Sequence, residues 1–314
     1  MFPAFFNRNK NKPYITEGNR LFCDDIDIPI KDGIRYFAAT DSYASLFGDQ
    51  WKAYKKTQLD SYSGVPISEN RMRRSFGDLY KNLKGKVVLE AGCGAGRFSE
   101  ILLKQGAQLV SSDLSNAVEV NQENFPQDEN HMVIQADIND MPYADESFDV
   151  VVCIGVIQHT PNSEQTIESL YKLVKKGGYL IIDHYTYNKS NYLRAAPLYR
   201  NILKKKSAEE TIPYTQRLVN RYLPWHRRFS KNRLLSIILN RVSPVISYYR
   251  AFPQLNDKQQ EEWAMLDTHD SLTDWHKNFR NKTQITALLE KLKATEIWCE
   301  FNGNFTEAKC RKPA

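Results

Sequence analysis

The sequence predicts an α/β protein built on a doubly wound, mostly parallel sheet, and three observations between Val87 and Asp183 carry that expectation. Short β-branched runs alternate with helical text, as a parallel sheet covered on both faces requires. One run, FDVVVCIGVI, is almost continuously apolar, which suits a strand buried on both sides. A glycine-rich turn, Glu90-Ala91-Gly92-Cys93-Gly94-Ala95-Gly96, separates the first such run from the first helix.

Taken in order, KVVLEAGCGAGRFSEILLKQGA reads as strand, turn and helix, with Phe98, Ile101 and Leu102 at helical spacing. LVSSDLS is the second strand, MVIQADI the third and FDVVVCIGVIQHT the fourth. A helix is expected from Asn162 or Ser163, both good N-caps, to Gly177-Gly178, and YLIIDHYT is the fifth strand. The tail, QITALLEKLKATEIWCEFNGNFTEAKCRKP, reads as helix, strand, turn, strand and is expected to complete the sheet with an antiparallel edge pair. The predicted organisation is an N-terminal extension (1–80), a core (81–188), a basic helical insertion (189–268) and the C-terminal completion of the core (269–314). In the extension, SYASLFGDQWKAY predicts an amphipathic helix and a candidate lid; in the insertion, Pro213, Pro224, Pro244 and Pro253 punctuate the helices.

With 314 residues, 41% hydrophobic and 25% charged, the chain has an ordinary globular composition and enough length for a sizeable core. MFPAFFNRNKNK has too few apolar residues for a signal peptide, and the longest apolar stretch elsewhere, Val150 to Ile157, is far short of the ~18 residues of a membrane span. The expected location is therefore cytoplasmic. Five cysteines lie far apart with no CxxC pair, so reduced thiols and no metal are expected. The net charge of +6 is unevenly placed: from Ser190 to Arg250 there are 13 Lys and Arg against two acids, leaving the rest net acidic. Those cations, including Lys204 to Lys206, Arg217, Arg221, Arg227, Arg228 and Arg233, interleave with aromatic residues such as Tyr222, Trp225 and Phe229. A solvated helical face accounts for them, as does peripheral contact of 190–250 with an anionic substrate or membrane.

The glycines of the turn allow left-handed φ values and close backbone approach, so a nucleotide-type cofactor can lie across the carboxyl ends of the strands. A pyrophosphate there needs helix N–H groups and no nearby anion, whereas Glu90 places a carboxylate just before the turn. That disfavours a dinucleotide and favours a cofactor carrying an ammonium and a sulfonium. Asp113, 17 residues after Gly96, stands where a carboxylate accepts from both ribose hydroxyls. Asp137 is placed to accept from an adenine amino group, with Ile138 and Met141 offering apolar surface. Either aspartate alone would also serve as a turn cap. Three acids after three successive strands point together to an adenosine ligand.

VVLEAGCGAGRF, SSDLS, QADI and FDVVVCIGVIQH, in that order, resemble the motifs of class I S-adenosylmethionine (SAM)-dependent methyltransferases, and in particular the type 11 group that includes ubiquinone-biosynthesis enzymes. The resemblance is specific from Val87 to Asp183 and weaker in the tail. It implies a Rossmann-like sheet of the class I methyltransferase type and SAM as cofactor. By that resemblance Glu90, Gly92, Gly94 and Gly96 would hold the methionine part, Asp113 the ribose with Leu114 beside it, and Asp137 with Ile138 the adenine. Gly155 would offer its backbone to the ammonium. Some relatives begin with a Cys-rich zinc ribbon before a segment like RLFCDDIDIPIKDGIRYF; this chain keeps only Cys23, and no zinc is expected.

The activity expected is SAM-dependent methyl transfer to a hydroxyl of a small molecule or glycan, with a lipid-linked or phosphorylated acceptor suiting the basic insertion. Methyl transfer from a sulfonium is an in-line displacement, so alignment supplies much of the acceleration and a base is needed only for poorly acidic groups. His159 after the fourth strand is the candidate base, with His184 after the fifth and His276 at the end of the insertion as further candidates. Each also suits a hydrogen bond that orients a loop. Cys93 and Cys153 read as buried strand-end residues. No (D/N)PP(Y/F) motif follows the fourth strand, where the chain reads GVIQ, which argues against DNA-base methylation. The competing readings are a SAM-binding partner subunit without catalysis, an RNA methyltransferase resting on the basic insertion alone, and an NAD-dependent oxidoreductase that Glu90 opposes.

Overall fold

The structure, a computed structural model, describes residues 1–38, 51–186, 194–204 and 206–314. The helix expected over residues 42–54 lies mostly outside them; residues 51–53 are helical. Nine strands form one large sheet: β1 (Ile30–Lys31), β2 (Ile34–Tyr36), β3 (Val87–Ala91), β4 (Gln108–Asp113), β5 (His131–Gln135), β6 (Phe148–Cys153), β7 (Val174–Tyr185), β8 (Thr295–Asn302) and β9 (Phe305–Arg311). Their spatial order is β8-β9-β7-β6-β3-β4-β5-β2-β1. Strands β2 to β7 pair in parallel, while β9 runs antiparallel between β7 and β8. This is a doubly wound, Rossmann-like sheet whose order reverses between β3 and β6, the switch point at which such sheets bind ligands.

The buried central strands follow from their composition. In β6, Val150, Val151, Val152 and Cys153 are all fully buried. Because successive side chains point to opposite faces, Val151 and Cys153 enter one core and Val150 and Val152 the other. Ile167 and Leu170 of helix α4 (Ser163–Leu173) and Ile285 and Leu289 of α9 (Lys282–Lys291) cover the first face. Met72 and Phe76 of α1 (Ile67–Phe76) and Ile101 and Leu102 of α2 (Ser99–Lys104) cover the second. Between β4 and β5 runs α3 (Ala117–Asn124). The insertion comprises α5 (Ala196–Leu203), α6 (Ala208–Phe229), α7 (Arg233–Val242) and α8 (Asp257–Thr273). It has its own apolar cluster, including Leu218, Val219, Leu223, Met265 and Leu272.

Several boundaries differ from expectation. Asn162 caps α4 as anticipated, accepting from the Gln165 N–H, but the helix ends at Leu173 rather than at Gly177-Gly178. Val174 is already extended and pairs with Phe148, and a register shift against β6 accommodates Gly177 at φ 75° within β7. Pro213 and Pro224 mark no helix break: both lie inside the 22-residue α6. Each removes an N–H from the helix ladder, and the buried face of Leu218, Val219 and Leu223 outweighs that loss. The first 38 residues contain short strands rather than only a cover. Of these, β2 extends the sheet beyond β5, and Ile34 packs on Val118 and Val133.

Candidate active site

A cavity of about 1130 Å³ opens over the switch point. Its floor is the set of turns at the carboxyl ends of β3 to β7; α1, α5, α8 and Tyr248 wall it. The glycine turn is folded onto β4, since the N–H groups of Gly92 and Cys93 both donate to the Ser112 carbonyl. Gly92 has φ 82°, and a Cβ there would meet Val156 Cγ2 at 2.2 Å, so glycine is required on both steric counts. Gly94, also left-handed, passes close under Trp51.

Of the residues singled out in the sequence, Gly92, Gly94, Asp113, Leu114, Asp137, Ile138, Gly155 and His159 line this cavity together. Asp113 Oδ2 accepts from the Gly94 N–H at 3.0 Å, and Oδ1 accepts from the Ser115 N–H and hydroxyl. Asp137 accepts from the Asn139 N–H at 2.8 Å, so it also caps its turn. The Gly155 N–H is taken by Asp183 at 2.7 Å, so that N–H is already committed within the protein. Asp183 is in turn held by Arg71 of α1.

Glu90, Gly96, His184 and His276 lie outside the cavity wall. Glu90 is buried beneath the turn, where Ser99 donates to it, and its Oε1 has no partner among the described residues. Burial pushes its pKa up to about 8, against the pull of the Ser99 hydroxyl. Burial thus favours its protonated form and weakens the anionic field expected of it at the turn. Gly96 faces Phe125 and Asn121 instead of the cavity. His184 is fully buried; its Nδ1 donates to the Tyr185 carbonyl and its Nε2 accepts from Ser163 Oγ, and burial lowers its pKa to about 4. With both nitrogens engaged it cannot serve as a base, so this candidate is corrected to a structural histidine. His276, half-buried, is likewise not part of the wall.

Glu90 carries a stability consequence. Its carboxyl holds a proton in the folded chain up to about pH 8 and loses it near pH 4.5 when unfolded. That contribution is fully present below pH 4.5 and disappears as the pH rises through 8. The wild-type Tm is expected to fall across this window relative to a Glu90→Gln variant, which has no proton to lose; parallel thermal melts from pH 5 to 8 check it.

His159 sits in a single 3-10 turn, Ile157–His159, after β6. Its Nδ1 lies 3.2 Å from Asp274 Oδ2 and its Nε2 3.9 Å from Asp270 Oδ2. Burial acts to lower its pKa, but the two carboxylates outweigh burial and hold it above the ordinary histidine value. Asp274 is itself fixed by Arg200 Nε at 2.6 Å, and Tyr185 meets the imidazole edge-on at 5.4 Å. Sequence reasoning missed this setting. Asp267, Asp270 and Asp274 do recur at i, i+3 and i+7, the spacing of one helix face, which was the available signal. Among the described residues, buried atoms of Gln158 (Oε1 and Nε2), Asn139 (Oδ1) and Asp270 (Oδ1) in the cavity wall have no hydrogen-bond partner. Such atoms normally find hydrogen bonds, so they mark where a polar ligand would make them.

Comparison with known proteins gives the fold a family context. Residues 89–182 match the methyltransferase domain family. The ubiquinone biosynthesis O-methyltransferase of Pseudomonas entomophila is 32% identical over 132 residues, which is 40% of this chain and 56% of that protein. Its namesake from Pseudomonas putida is 33% identical over 146 residues, covering 44% and 62% respectively. The matched part thus spans less than two thirds of these curated relatives. Among solved structures, a putative SAM-dependent methyltransferase of Methanococcus maripaludis superposes with a TM-score of 0.47 at 13% identity, covering 88% of this chain and 96% of that one.

Proposed function

We propose, taking residues 89–182 as a class I SAM-dependent methyltransferase domain, that the chain transfers the methyl group of SAM to a hydroxyl of a small-molecule or glycan acceptor, with His159 as the base. The observation that carries this reading is the convergence on one cavity of the glycine turn, Asp113 and the carboxylate-flanked His159. The residues present fit the cofactor: the left-handed turns at Gly92 and Gly94 bring backbone to the cavity wall, Asp113 keeps lone pairs for ribose hydroxyls, and the Ile138 side chain offers apolar surface beside Asn139 Oδ1, which has no partner among the described residues. When bound, SAM supplies an electrophilic methyl on a sulfonium.

The chain's residues account for the rest. His159 Nε2 takes the hydroxyl proton as the acceptor oxygen gains the methyl group and the carbon–sulfur bond breaks. Asp274 holds the Nδ1 proton, fixing the tautomer, and its charge stabilises the imidazolium that forms. Gln158 and Asp270, with free hydrogen-bonding atoms, orient the acceptor. The two curated relatives named as O-methyltransferases support oxygen as the acceptor atom. The test is calorimetric titration with SAM, S-adenosylhomocysteine and NADH, followed by transfer of labelled methyl to a panel of phenols, sugars and lipid-linked hydroxyl compounds. Binding of SAM or its product with turnover of a hydroxyl acceptor is expected. Binding of NADH alone would overturn the cofactor, and labelling only of amines or carbon acceptors would overturn the acceptor atom.

A further inference from the structure

Helix α7 is a ten-residue segment in which Ser236 alone is buried. Its apolar side chains point away from the protein: Leu234 is 74% exposed, Ile238 57% and Val242 56%, with Leu235 and Ile237 near two fifths. Leu234, Ile238 and Val242 follow one another at i, i+4 and i+8, so they form a single stripe. A short turn brings α7 back against the end of α6, where Ser236 Oγ donates to the Phe229 carbonyl at 2.7 Å. Beside it Trp225, half exposed, stacks on Phe229 at 5.9 Å. Single exposed leucines are ordinary on protein surfaces, whereas a whole helix face with an aromatic neighbour marks an interaction site.

The charge around this tip says what it meets. Between Trp225 and Val242 the chain has five cations, Arg227, Arg228, Lys231, Arg233 and Arg241, and no acid. Arg227 pairs with Asp257; among the described residues no ion pair engages the other four. A second copy of this chain meeting the tip face to face would set like charges against each other, which opposes self-association. A surface that is anionic at its boundary and apolar just below it complements both features.

We propose that the α6–α7 hairpin tip docks on an anionic lipid surface, with α7 lying in the interfacial plane. No helix among the described residues is long and apolar enough to cross a membrane, so the contact is peripheral. The tip is also next to the cavity. The Ala195 N–H donates to the Arg241 carbonyl at 2.7 Å, tying the end of α7 to the start of α5, and Arg194, Ala196 and Pro197 there line the cavity wall. Docking would hold the wall near the lipid headgroups, which admits an acceptor with an apolar tail; that last step rests on the methyl-transfer reading, and docking itself does not.

The experiment is flotation of the full chain with vesicles of phosphatidylcholine, alone or mixed with phosphatidylglycerol, for the wild type, Leu234→Asp/Ile238→Asp and Lys231→Glu/Arg233→Glu. All four positions lie outside the cavity wall, so SAM affinity is expected to be unchanged. The wild type is expected to float with the anionic vesicles and less so as salt rises. The apolar variant loses flotation, and each reversed charge lowers partitioning at least roughly fivefold. Failure of the wild type to bind anionic vesicles overturns the proposal, as does binding that survives in both variants. It is overturned too if light scattering finds a wild-type dimer that Leu234→Asp/Ile238→Asp makes monomeric, because a second copy then covers the stripe.

Discussion

Alanine at position 159 is expected to lower kcat for methyl transfer by about 10²- to 10⁴-fold, the range that a positioned general base contributes, while SAM affinity stays close to that of the wild type. The reason is geometric. His159 lines the cavity, and its Nδ1 is 3.2 Å from a carboxylate that Arg200 fixes in place. Since Asp270 and Asp274 overcome the effect of burial, the imidazole titrates above its ordinary value of 6.5. A base works only when deprotonated, so kcat should rise with pH through a midpoint above 6.5. Asp274→Asn removes one anion and should move that midpoint down while also lowering kcat. A His159 that merely orients its turn would behave otherwise: His159→Gln would keep the rate, and Asp274→Asn would leave the pH profile where it was.

The second large effect is at the cofactor. Asp113→Ala is expected to raise the Kd for SAM by at least roughly 100-fold. Hydrogen bonds to a charged carboxylate contribute about 1.5–3 kcal/mol each, so loss of two ribose contacts exceeds 3 kcal/mol. The same substitution frees the Gly94 and Ser115 N–H groups that shape the turn. Asp113→Asn, which keeps one acceptor oxygen, should lose about tenfold. Titration calorimetry separates the cases. An unchanged Kd in the alanine variant would mean that Asp113 only braces the glycine turn and that the ribose lies elsewhere.

The parts of this molecule that were legible in the sequence are those whose determinants are local. The β3 strand, its glycine turn and the acid ending β4 are contiguous, and the two-sided burial of β6 is written in FDVVVC itself. So is the Asn162 cap. The limits of the first β7 residues were not, because a helix that could run to Gly177 is stopped at Leu173 by pairing with Phe148, a contact between distant segments. The strands near the N-terminus span two to four residues, too few for a period to be counted. In the site, His159 could be singled out but not its partners, since Asp270 and Asp274 reach it from α8 and the residue that ends it, far along the chain. For Glu90 the motif gives the residue but not its surroundings: burial, which no motif records, raises its pKa.

The attachment of the imidazole and its carboxylates to different bodies has a further outcome. His159 follows β6, whereas Asp270 lies in α8 and Asp274 is the residue that ends it, and Leu272 and Met265 of that helix pack within the insertion. The tuned imidazole thus requires the insertion to be seated, whereas the hydrogen bonds from the glycine turn to Ser112 and Asp113 are made at the carboxyl ends of the strands. A chain with its insertion released would still capture the cofactor yet carry an untuned imidazole. The assembly thus resembles a two-key lock: one key is cut into the sheet, the other into the segment that supplies the carboxylates, and the proposed chemistry is permitted only when both are turned.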